Sequence, residues 1–326
     1  MMHKTIRVVL VGLLLGLFAS TAWAQEAEII ASLQRVEGPV QVTLAANKEA
    51  TQGRNGLLLH TGDTVVTGQD GHATIKFRDG SEIRLFPNTN FVVEAKEEPG
   101  AHRFFSVNLL MKVGSFWGHF VKQRQVANIN TPTATIGIKG TTLRVVERDS
   151  QARVALTEGL IGVSNDRDQV ELKPGERLPN FRRTDTLADK VEAIPYKLAL
   201  SSDQKKLEFR NNAPVEVAIS VQLVDVKTGN PIRRAGPLYL RSNYDKIDYP
   251  VQATLDARGF ARVMIHVRPP EPADANLNGN VYVWALLDQE QADDTAEGRI
   301  HFTVPVPPSQ ERIRVESQTG ESHRVQ

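Results

Sequence analysis

The chain has 326 residues, with 39 Lys and Arg against 38 Asp and Glu and no cysteine. So even a balance supplies no field to recruit nucleic acid or an anionic membrane, and the missing thiols exclude a disulfide framework, a lipidated cysteine anchor and any thiolate metal site. A hydrophobic share of 40% and a charged share of 24% are those of a globular chain, long enough for two domains.

Residues 1–24 read as an export signal. His3, Lys4 and Arg7 form a basic start, an apolar run follows that is too short to span a bilayer, and Ala22-Trp23-Ala24 is a small-x-small cleavage site. Cleavage near Ala24 leaves 37 basic against 38 acidic side chains, because Lys4 and Arg7 depart. The expected product is periplasmic or secreted, with no integral membrane segment, cofactor or nucleic-acid partner.

From residue 25 the pattern is of short strands. Val36, Val40, Val42 and Leu44 flank Gly38-Pro39, and brief apolar runs surround the Gly62-Asp63 turn. Residues 72–77 and 81–86 flank Arg78-Asp79-Gly80. A two-residue loop would set Ile75 against Arg84. A three-residue loop with Gly80 left-handed sets Ile75 against Ile83, Ala73 against Leu85 and Lys76 against Glu82, and is the one predicted. Residues 91–95, 104–111 and 114–121 are expected as further strands, joined across a charged turn at 96–100, with Phe104, Phe105, Leu109, Leu110, Phe116, Trp117 and Phe120 in the core. Residues 131–146 form a β-branched run broken by Gly137 and Gly140, a core strand that turns a corner. An internal echo links residues 36–42 (VEGPVQV) with 157–163 (TEGLIGV), followed by glycine turns at Gly62-Asp63 and Gly175-Glu176, and suggests stacked coils or a rolled sheet.

Three stretches in register, GDTVVTGQDGHATIKFRDGSEIRL at 62–85, TATIGIKGT at 133–141 and VALTEGLIGVSNDRDQVELKPGERL at 154–178, resemble the FecR domain family. The likeness spans residues 33–178 and implies a β-rich extracytoplasmic domain. On that resemblance Gly62, Asp63, Asp79, Gly80, Gly137, Gly140, Thr141, Glu158, Gly159 and Gly175 are structural motif positions. In the namesake regulators such a domain follows a cytoplasmic segment and one membrane helix, senses an outer-membrane transporter and controls a sigma factor. Here an export signal stands in their place, so sigma control is not expected.

Residues 179–200 read as a linker with a short helix over 184–194, capped by Thr184, with Leu187, Val191 and Ile194 on one face and Pro195 as its stop. Strand rhythm resumes at 207–210, 215–226, 236–240, 246–255, 259–267, 281–287 and 299–304. Seven strands over residues 201–308 suit an immunoglobulin-like sandwich, with Trp284 as its central core aromatic. Residues 309–326 read as a disordered tail. The expected class is all-β: a FecR-like domain of stacked or rolled strands at 25–178, then the sandwich.

Catalytic motifs are absent. Lys139-Gly140 has the reverse order of a phosphate loop, and the histidines show no metal spacing. Asp274, Asn276 and Asn278 match the opening of a calcium loop, but Ala285 stands where its bidentate glutamate belongs. Asp288, Glu290, Asp293, Asp294 and Glu297 form an acidic loop, read as a solvated connection. The functional expectation is a non-catalytic binding or scaffold protein of the cell envelope, its partner an envelope protein or glycan. The alternatives are a carbohydrate-active or other envelope enzyme with an inter-domain cleft, and a signal-sensing partner of an outer-membrane receptor.

Overall fold

The computed structural model describes residues 29–97, 105–122, 127–250, 253–287 and 296–306. The export signal, residues 98–100 of the charged turn, Phe104, the C-terminal tail, and the acidic loop apart from Glu297 lie outside them, while Lys96 and Glu97 belong to a strand and not to a turn.

The described chain is nearly all strand. Up to Ala193 these are β1 (Ile29–Glu37), β2 (Val40–Thr43), β3 (Ala50–Gln52), β4 (Leu58–His60), β5 (Thr64–Thr67), β6 (His72–Phe77), β7 (Glu82–Leu85), β8 (Asn90–Glu97), β9 (Phe105–His119), β10 (Ala127–Asn130), β11 (Thr135–Ile138), β12 (Thr142–Arg148), β13 (Gln151–Glu158), β14 (Ile161–Ser164), β15 (Gln169–Leu172), β16 (Glu176–Phe181) and β17 (Glu192–Ala193). They make two layers. One runs β4-β1-β6-β7-β9-β12-β13-β16-β17. The other runs β3-β2-β5-β8-β9-β10-β11-β14-β15.

Both layers contain β9. Residues 104–121 were expected as two strands, and the structure instead has one, bent at Gly114. There φ is +114°, and a Cβ would stand 2.4 Å from the Thr89 Cα. A side chain does not fit, so glycine lets the strand leave one layer for the other without breaking. Between the layers lies one core that includes Leu33, Val65, Ile75, Ile83, Phe91, Leu109, Phe116, Val145 and Leu156.

The internal echo has a structural counterpart. Glu37-Gly38-Pro39 carries the chain from β1 in one layer to β2 in the other, and Glu158-Gly159-Leu160 does the same from β13 to β14. The glycine turns that follow align differently from the sequence expectation. The counterpart of Gly175 is Gly56: Gly56 N donates to Leu33 O and Gly175 N to Leu156 O, each at 2.8 Å. From Leu33 to Gly38 the chain is two residues longer than from Leu156 to Gly159. The surplus forms a bulge at Arg35, whose φ is +47°, and shifts the β1–β6 register between Gln34 and Glu37.

The predicted hairpin register is present: Ile75 faces Ile83, Ala73 faces Leu85 and Lys76 faces Glu82. Gly80 closes the three-residue loop at φ +92°. The expected helix over 184–194 is not. Only Ala188–Lys190 forms a single 3-10 turn, and Glu192–Ala193 pairs with β16. Leu187 and Ile194 are buried, so the segment is flattened onto the first core rather than coiled on itself.

After Pro195 come β18 (Tyr196–Ser201), β19 (Val215–Asp225), β20 (Gly236–Ser242), β21 (Ile247–Asp248), β22 (Ala253–Leu255), β23 (Phe260–Val267), β24 (Asn280–Leu287) and β25 (Glu297–Thr303). They form two four-stranded antiparallel sheets, β18-β19-β23-β21 and β22-β20-β24-β25, around a second core. β18 was not foreseen, and residues 207–210 are not a strand. The run 246–255 divides between the two sheets as β21 and β22, on either side of Pro250. Trp284 is not the core aromatic of this body. Val281, Val283, Ala285 and Leu287 are fully buried in the second core, and strand alternation turns Tyr282, Trp284 and Leu286 to the opposite face.

Candidate functional site

Two sheet faces that point away from their own cores meet each other. The face of β6, β7, β9 and β12 offers Thr74, Glu82, Arg84, Trp117, His119 and Arg144. The face of β20, β24 and β25 offers Tyr239, Arg241, Trp284, Leu286 and Glu297. Phe86, Trp117, Tyr239 and Leu286 form a small apolar cluster between the two cores. Around it the guanidinium groups lie on rings: Arg144 is 4.2 Å from the Phe86 centroid, Arg84 4.4 Å from Tyr239, and Arg241 4.0 Å from Trp284 and 4.8 Å from Trp117. Desolvated contacts of this kind contribute up to about 2 kcal/mol each.

Hydrogen bonds fix the register of the seam. Trp117 Nε1 donates to Glu297 Oε2 at 3.0 Å, and Thr157 Oγ1 donates to the same oxygen at 3.0 Å. Tyr239 Oη donates to Glu82 Oε1 at 2.8 Å and shares a 3.2 Å hydrogen bond with Thr74 Oγ1. Arg144 Nη1 donates to Leu287 O at 3.2 Å, and Arg35 Nη1 from the β1 bulge donates to Leu240 O at 2.5 Å. At the rim Arg299 Nη1 meets Glu158 Oε1 at 2.6 Å.

Burial shifts the ionisable groups here. It pushes the Glu297 carboxyl up, against the bonds from Trp117 and Thr157 and the charge of Arg241. Burial and the neighbouring Arg241 push His119 down to about 3, so the ring is neutral at physiological pH. Burial likewise lowers Arg241 and raises Tyr239.

The motif positions named from sequence lie mostly at corners. Gly140, Thr141, Glu158 and Gly159 come together. Gly159 has φ +86°, and a Cβ on it would stand 2.4 Å from Gly140 O. Thr141, almost fully buried, accepts from Phe120 N through its carbonyl. Gly137 sits mid-strand opposite Gly162. Elsewhere, Gly62 N donates to Val93 O, and the buried Asp63 carboxylate accepts from Ala45 N at 2.7 Å and His60 N at 2.8 Å. Asp79 accepts from Ser81 N beside Gly80 at the hairpin tip. Gly175 opens β16 at φ +88°. Of this set only Glu158 reaches the seam.

The calcium-loop candidate is otherwise occupied. Asp274 Oδ2 accepts from Lys246 Nζ at 2.8 Å and Glu271 N at 2.8 Å, and Asn278 offers its carbonyl to Asn280. The side chain of Asn276 lies outside the described residues. Among the described residues no group of three His, Asp or Glu could hold a metal ion.

The seam itself escaped sequence reasoning. Its signal is arginine and aromatic residues on the outward phase of strands, as in Trp117-Gly118-His119 and Tyr239-Leu240-Arg241, where short polar residues suffice for solvent.

Residues 63–162 match the model of the family described as FecR protein. No curated protein matches the chain. Two crystal structures of a candidate anti-sigma factor from Parabacteroides distasonis ATCC 8503 are similar at 16% identity, with TM-scores of 0.31 and 0.30, each over 35% of this chain and 52% of that one. The chain therefore spans about half the length of those structures. Among the described residues no helix is long and apolar enough to cross a membrane.

Proposed function

We propose that this chain, built around a FecR domain, is a non-catalytic binding protein of the bacterial cell envelope in a sensing role. The FecR domain supports the envelope and sensing parts of that reading. The seam supports the non-catalytic part. Its acid and base groups are engaged with neighbours: Glu297 with Trp117 and Thr157 and Glu158 with Arg299 across the seam, and Glu158 and His119 with Thr142 inside the first body. Groups so engaged position a frame and, among the described residues of the seam, are not free to act as an acid–base pair in turnover. In this reading the signal is cleaved near Ala24, the product is periplasmic or secreted, and the C-terminal sheets are an immunoglobulin-like adaptor. Sheet edges and loop tips contact an envelope protein or glycan.

The test combines fractionation with capture. The protein is expected in the envelope or secreted fraction, retaining a partner from envelope extract that cytosolic extract does not supply. Turnover of envelope glycans or peptides by the purified protein sinks the reading, as does retention in the cytosol.

A further inference from the structure

At the seam a half-open cavity of about 370 Å³ is lined by both bodies. Arg35, Thr74, Lys76 and Glu82 stand on one side, and Arg241 and Tyr249 on the other. That volume is at the small end of the range for ligand sites, right for a molecule of sugar or dipeptide size. The walls are largely polar, so an apolar occupant would strand their hydrogen-bonding groups.

The charges around the space are unequally satisfied. Asp274 is matched by Lys246 at 2.8 Å, and Glu82 receives the Tyr239 hydroxyl. Arg241 differs. It is 6% exposed, and its Nε and Nη2 are buried with no hydrogen-bond partner among the described residues. Its close neighbours are the faces of Trp117 and Trp284, and Glu82, Glu297 and Glu158 act on it only through space. A buried cation without a counter-ion in hydrogen-bond reach is costly, and an anion placed beside it offsets that cost. Lys76, exposed at the rim, supplies a second cation.

We propose that the cavity binds a small polar molecule carrying a carboxylate, its acid group drawn to Arg241 and Lys76 and its hydroxyl or amide groups served by Glu82 and Thr74. This deepens the reading of the chain as a binding protein and rests on it. A molecule touching both bodies ties the seam more tightly, and ligand occupancy thereby becomes a change in stiffness between them.

Titration calorimetry on the purified protein tests the site with N-acetylmuramic acid, with N-acetylglucosamine, which lacks only the lactyl acid, and with the dipeptide alanyl-glutamate. One of the two acids is expected to bind, at least about tenfold more tightly than the neutral sugar, and which of them binds assigns the source. Lys76→Gln, an exposed change that sets no second carboxylate opposite Glu82, is expected to weaken that acid about tenfold while leaving the melting temperature within about 2 °C. Absence of binding by both acids, equal binding of acid and neutral sugar, or indifference to Lys76→Gln overturns the proposal. Loss of acid binding with envelope capture intact removes the cavity alone. Conversion of the bound compound to products removes the non-catalytic reading and leaves the site.

Discussion

Trp117 and Glu297 are 180 positions apart in the chain, yet the indole N–H of one donates to the carboxylate of the other at 3.0 Å. Trp117→Phe keeps an aromatic ring but removes the donor together with part of the indole, leaving an acceptor short of one bond. The expected loss is about 1–3 kcal/mol, read from urea unfolding. Equal stability of the two proteins would show that the bond is not made in solution.

Glu297 also sets a pH dependence. Its carboxyl lies above the ordinary glutamate range in the folded protein because burial disfavours the charged form. The stability it contributes is present in acid, below the unfolded pKa, and is lost as pH rises through the folded value. Glu297→Gln retains an acceptor for Trp117 and Thr157 and abolishes this loss. The stability of the wild type relative to Glu297→Gln should therefore fall as pH climbs from about 4. A constant difference across that range would contradict the assignment.

His119 works in the opposite direction. Its pKa is lowered to about 3 by burial and by Arg241, so the unfolded chain takes up the proton first. Stability should decline as pH falls from about 6.5 towards 3, with a slope from this group approaching 1.4 kcal/mol per pH unit. His119→Gln should flatten that part of the curve. An NMR titration showing the imidazole protonated near pH 6 would refute it.

The corner glycines should separate by their surroundings. Gly159 and Gly175 have nearly the same φ, +86° and +88°. A Cβ on Gly159 would collide with the Gly140 carbonyl, whereas nothing lies within 4 Å of one on Gly175. Gly175→Ala should cost about 1–2 kcal/mol for the left-handed backbone alone. Gly159→Ala should cost about 3 kcal/mol or more, because backbone must move. Equal costs would mean that the corner relaxes freely.

Arg35 permits a similar comparison. Both Arg35→Ala and Arg35→Gly lose the bond to Leu240 and the contacts 5.3 Å from the Tyr239 and Tyr249 ring centroids. Only glycine relieves the positive φ. Arg35→Gly should be more stable than Arg35→Ala by about 1 kcal/mol in denaturant melts. The reverse order would place the bulge elsewhere.

What could be read from sequence was local. The register of the Arg78-Asp79-Gly80 hairpin followed from alternation and loop length, because a one-residue slip would have turned Ile75 towards Arg84. The Glu-Gly echo marked real corners because a glycine at positive φ is needed wherever two backbones cross closely. The seam was illegible for the opposite reason. Arg84, Arg144 and Arg241 occupy the polar phase of their strands, where arginine ordinarily means water, and only the docking of a second sheet makes that face interior. Trp284 was expected as the central core aromatic of a sandwich, but its alternation phase opposes that of Val283 and Ala285. The 184–194 helix failed because the apolar residues that would stripe a helix served equally well as anchors for a chain lying flat on a neighbouring core.

β9 has a mechanical corollary. A ribbon stitched into both layers through Gly114 forbids peeling: neither layer can detach while the other keeps its shape, so the first body should rupture in a single event when pulled from its ends. Sequence inserted at the corner turns would leave that stitch intact, whereas one residue inserted beside Gly114 would throw half of the ribbon out of phase with every neighbour it has.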